Sequence, residues 1–122
     1  MQHANEEDSG RNPYLNDRDR PLYAVCRLVQ HLPADITNAG PLTHDQSQMA
    51  AAVAFYAEAA YKTVLDGLTE IGKLISDVTS DYADRLPHLG GLIRHLSVEA
   101  QFMQETAADY RDAAMQPCRK ND

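Results

Sequence analysis

The sequence predicts an all-α protein: a long antiparallel helical hairpin with a short N-terminal element laid across it. Two observations carry that expectation. Apolar residues recur every three or four positions from Thr43 to about Tyr82, and again from about Pro87 to Ala114. Between those runs lies only the tight break Asp84-Arg85-Leu86-Pro87, and a short connection makes two helices antiparallel neighbours. Two such hairpins pairing would complete a four-helix bundle.

The first long helix is the best specified element. Its stripe is Val53, Ala57, Ala60, Val64, Leu68, Ile71, Ile75, Val78 and Tyr82, widened on one edge by Leu74. Thr43 followed by Gln46 has the form of a capping box, and Gly40-Pro41 breaks the chain just before it. Alanine, the best helix former, is dense from Ala50 to Ala60. Glu58–Lys62 and Lys73–Asp77 are opposite charges one turn apart, each pair worth ~0.3 kcal/mol. The second helix carries the stripe Leu89, Ile93, Leu96, Ala100, Met103, Ala107, Tyr110 and Ala114.

Residues 21–33, PLYAVCRLVQHLP, satisfy two patterns. Leu22, Val25, Val29 and Leu32 fit a short helix opened by Pro21 and ended by Pro33, which is the favoured reading. Partial alternation also fits a strand. Residues 34–43 are turn chemistry and form a connector. Residues 1–20 are polar and mixed in charge, so they are expected as a mobile arm whose one sticky spot is Pro13-Tyr14-Leu15. The domain therefore spans 21–116, with 117–122 a polar tail.

At 122 residues the chain makes one domain. A net charge of −7 argues against wrapping nucleic acid, whose phosphates would repel such a surface. No apolar run approaches the ~20 residues needed to span a bilayer, so no membrane partner is expected. The start MQHANEEDSG does not read as a signal peptide, and Cys26 and Cys118 are expected as free thiols in a cytoplasmic setting.

Three groups of residues are candidates for function. The run around the second helix start holds Arg85, His88, Gly90, Gly91, Arg94 and His95, basic groups and glycines where free N–H groups and the helix dipole attract anions. A nucleotide or phosphate sensor is one reading. Against it, no phosphate-loop pattern is present, and the glycines would equally serve close helix–helix approach. His88, His95 and Glu99 share a helix face, and His31 or His44 would have to complete a metal set. The paired Glu-x-x-His pattern of di-iron bundles is missing, so no metal or cofactor is expected. Finally, Phe55 flanked by Ala51, Ala52 and Ala59, together with Val98 and Phe102, lies off the main stripes and fits a helix-packing interface. No serine sits in an elbow motif and neither cysteine has a histidine partner, so an enzyme is not expected. The reading that follows is a small acidic module, an adaptor or inhibitor of a protein partner, that forms a homodimer.

Overall fold

The computed structural model describes residues 11–77 and 84–119. Its first fixed point is the start of the long helix. Gly40 holds φ at 73°, a left-handed backbone that glycine adopts without the clash a Cβ would bring. Thr43 then caps the helix: its Oγ1 accepts the Gln46 N–H at 3.0 Å, while Gln46 Oε1 accepts the Thr43 N–H at 3.1 Å. The expected capping box is present. Thr43→Ala should cost about 1 kcal/mol, which in a chain of this size lowers the melting temperature by about 4 °C in a circular-dichroism melt.

Among the described residues, three helices and one short 3-10 turn make up the fold. Helix α1 spans Pro21–Val29, the 3-10 turn Ile36–Asn38, helix α2 His44–Ser76 and helix α3 Leu86–Met115. The fold is the expected all-α hairpin, with α2 and α3 packed along each other and α1 across the base of α2. Of residues 21–33, Pro21–Val29 form helix, with Pro21 in the first turn suiting the missing N–H, and the helix ends at Val29, short of the expected stop at Pro33. Among the described residues, no helix is long and apolar enough to cross a membrane.

Helix α2 closes earlier than its periodicity suggests. Ser76 Oγ donates to the Lys73 carbonyl at 2.7 Å, and the Asp77 N–H turns back to the Leu74 carbonyl. Such side-chain bonds compete with the helical ladder and favour an end. The stripe members Val78 and Tyr82 lie outside the described residues. Lys73 pairs with Glu70 at 3.2 Å rather than with Asp77, while Glu58 and Lys62 approach to 3.9 Å as expected.

The core is confined to one end of the hairpin. On α2 every buried residue falls between Ala50 and Ala60, and on α3 the buried residues are Ala100, Met103 and Ala107. Ala24 and Val25 of α1 close over this base, joined by Leu32 and by Ile36 and Leu42 from the connector. The connector is therefore more than a turn: two of its apolar side chains plug the core. Asp35 shapes it by accepting from Thr37 Oγ1 and Asn38 Nδ2, bonds that hold its carboxyl below the usual range.

The N-terminal segment departs most from expectation. Residues 11–20, expected as part of a mobile arm, lie as a strap against α2. Their anchor is the fully buried Tyr56, whose hydroxyl donates to the Tyr14 carbonyl at 2.8 Å and accepts the Asp17 N–H at 2.9 Å. Asn12 Nδ2 donates to the Gln48 carbonyl, and the Tyr14 hydroxyl donates to Asp45. Tyr14 and Leu15, the sticky spot, pack against the core. At the other terminus, the Arg119 N–H donates to the Leu42 carbonyl at 3.0 Å, so residues 117–119 are tied back to the connector. Residues 1–10 and 120–122 lie outside the described residues.

Candidate protein-interaction surfaces

Beyond the base, the hairpin becomes an arm in which, among the described residues, α2 and α3 cover only each other. From Tyr61 to Asp77 and from Asp84 to Glu99, no described residue is buried. The seam residues Val64, Leu68, Ile71, Ile75, Leu89, Ile93 and Leu96 are half-buried, and Leu65, Leu74, Leu86 and Leu92 are exposed. The cause is architectural. Two helices bury one stripe each, and the third layer supplied by α1, the connector and the strap ends at the base.

Of the expected interface set, the structure separates three groups. Ala52 is not a surface residue: it is completely buried, within the core cluster that also holds Ala24, Val25 and Tyr56. Phe55 is 44% exposed and stands edge-on to Tyr56, with the Arg18 guanidinium 5.7 Å from its ring. Part of its cover thus comes from the strap. With Ala51, Ala54 and Glu58 it lines a shallow trough closed on the α3 side by Arg111, Ala114 and Met115, where Arg111 reaches Glu58 at 2.9 Å. Ala59 is half-buried beside this set. Val98 and Phe102, at 60% and 57% exposure, form a separate apolar spot on the outer face of α3.

The basic helix start is equally open. Arg85, His88, Gly90, Gly91, Arg94 and His95 are all exposed. A Cβ built at Gly90 or Gly91 would meet nothing within 4 Å, so these glycines are not points of close helix–helix approach. An anion there would be held by groups in contact with water, where charge–charge attraction is weakest. His88, His95 and Glu99 do share a helix, but no group of three His, Cys, Asp or Glu able to hold a metal occurs among the described residues. Cys26 and Cys118 are free thiols.

One cluster escaped the sequence reading. The Arg20 guanidinium lies 4.4 Å from the Tyr23 ring, a cation–π contact that joins strap to α1, and Arg27 approaches the same ring at 5.8 Å. Such exposed contacts are worth about 0.5–1 kcal/mol each, and the Arg20 contact pairs a strap residue with one of α1. The Asp45 carboxylate holds the Tyr14 phenol above its usual range, first by accepting its hydrogen bond and then through desolvation and charge. Tyr110, half-buried against the core, is raised by desolvation and by Asp109. Compared with family models, with curated proteins and with solved structures, the chain matches none.

Proposed function

We propose that this protein is a non-enzymatic protein-binding module, an adaptor or inhibitor, that meets a protein partner with the open face of its helical arm and works as a homodimer. The observation that carries the reading is the contrast within one hairpin. Its base holds a closed core, whereas its arm leaves Leu65, Leu74, Leu86 and Leu92 exposed beside a half-buried seam. Exposed apolar groups gathered on one element mark interaction sites, because covering them removes apolar surface from water at about 25 cal/mol per Å². The free thiols support a cytoplasmic setting.

The test is a paired capture from the native host's lysate, with wild type and a Leu74→Glu/Leu92→Glu variant immobilised side by side. Both positions are exposed, so the variant should keep its helix content. Proteins retained by wild type and lost from the variant, then rebound as purified components, would support the reading. Identical captured proteins on both columns would end it.

A further inference from the structure

The outer face of α3 carries a stripe that is complementary to itself. His88, Gly91, His95, Val98, Phe102, Glu105, Asp109 and Asp112 follow one another at alternating steps of three and four residues, and all are exposed. That spacing keeps them on one side of a helix, in the repeat that two helices use to pair. The chemistry along the stripe is ordered: imidazoles in its first half, an apolar pair at its middle, carboxylates in its second half. Arg94 adds a positive charge beside the first half, and no acid stands among residues 85–95.

We propose that this stripe is the homodimer interface, with a second copy of α3 packed antiparallel across a two-fold axis level with Ala100. The inference rests on the homodimer part of the reading above and names its surface. In that register every stripe residue meets a stripe residue. Val98 of each copy lies on Phe102 of the other, His95 faces Glu105, His88 faces Asp112, and Gly91 leaves room beside Asp109. No other class of partner is needed to explain why one half of the face matches the other in both hydrogen-bonding chemistry and spacing. A two-fold interface demands this self-complementarity, since each residue's partner must also find it in return. The basic half set against the acidic half also disfavours parallel pairing, which would bring carboxylate against carboxylate. Glu105 already accepts from Gln101 Nε2 at 3.2 Å, an exposed bond that leaves its second oxygen for an imidazole N–H. Phe55 and its trough, between α2 and the end of α3, take no part.

Sedimentation of the full chain at tens of micromolar tests this, because apparent mass there reports dissociation constants in the micromolar range. Wild type should sediment as a concentration-dependent dimer. His88→Glu/His95→Glu should raise the dissociation constant at least about tenfold by opposing like charges, and Glu105→Lys/Asp112→Lys should also weaken it. Mixed in equal amounts, the two variants should form a heterodimer near wild-type strength, a rescue that misfolding or general charge effects cannot produce. A monomeric wild type would overturn both the homodimer and this interface. A dimer unmoved by either variant but lost in Phe55→Asp would keep the homodimer and overturn the α3 stripe.

Discussion

Replacing Tyr56 with alanine is expected to remove about 4 kcal/mol of stability and lower the melting temperature by about 15 °C. Tyr56 is one of the two largest fully buried side chains, and it stands where α2, α1 and the strap meet. The ring fills the core while the hydroxyl serves both the Tyr14 carbonyl and the Asp17 N–H. Alanine removes both functions. Domains of this class hold only about 5–15 kcal/mol in total, so the loss is a large fraction. Tyr56→Phe separates the two parts. It keeps the ring, costs about 1–2 kcal/mol for the orphaned backbone groups, and frees the strap. Faster hydrogen exchange at the Asp17 amide, with α2 amides in the base still protected, is the expected signature. Unchanged exchange and unchanged stability in Tyr56→Phe would mean that the strap is not held by this hydroxyl.

The helices were legible because periodicity is a local property. Val53, Ala57 and Ala60 were read as core and are buried, as are Ala100, Met103 and Ala107 on the second helix. The capping box at Thr43 was legible for the same reason, since its two bonds span only four residues. Tyr56, Ala52 and Ala54 were not read as core, because a single stripe assumes one neighbour. Near its start α2 has α1 and the strap on one side and α3 on another, so burial spreads around more of its circumference. The strap itself carries few apolar residues. Its order comes from hydrogen bonds across 31 to 42 positions of sequence, such as Tyr14 to Asp45 and Tyr56 to Tyr14, which no local pattern announces. In the candidate surfaces, the off-stripe position of Phe55, Val98 and Phe102 was legible and their exposure follows from it. The self-matching order of the α3 stripe was equally open to view. Its meaning depends on knowing that α1 stops short of that face.

The second large effect is expected at Met103, the bulkiest buried side chain of α3. It is 4% exposed, and Met103→Ala should cost about 3 kcal/mol through lost transfer energy and the cavity left behind. Leu74→Ala is the control on the arm, where the side chain is 67% exposed and the change should stay within about 0.5 kcal/mol. The comparison tests whether stability is as uneven as the burial. A base with a closed core should unfold as one cooperative unit, while arm amides exchange through smaller local openings. Thermal melts of the two variants, together with hydrogen exchange along α2, decide it. If Leu74→Ala lowers the melting temperature as far as Met103→Ala, the arm leucine is buried in solution. An assembly that covers the arm would bury it, and the dependence of that melting temperature on protein concentration would reveal such an assembly.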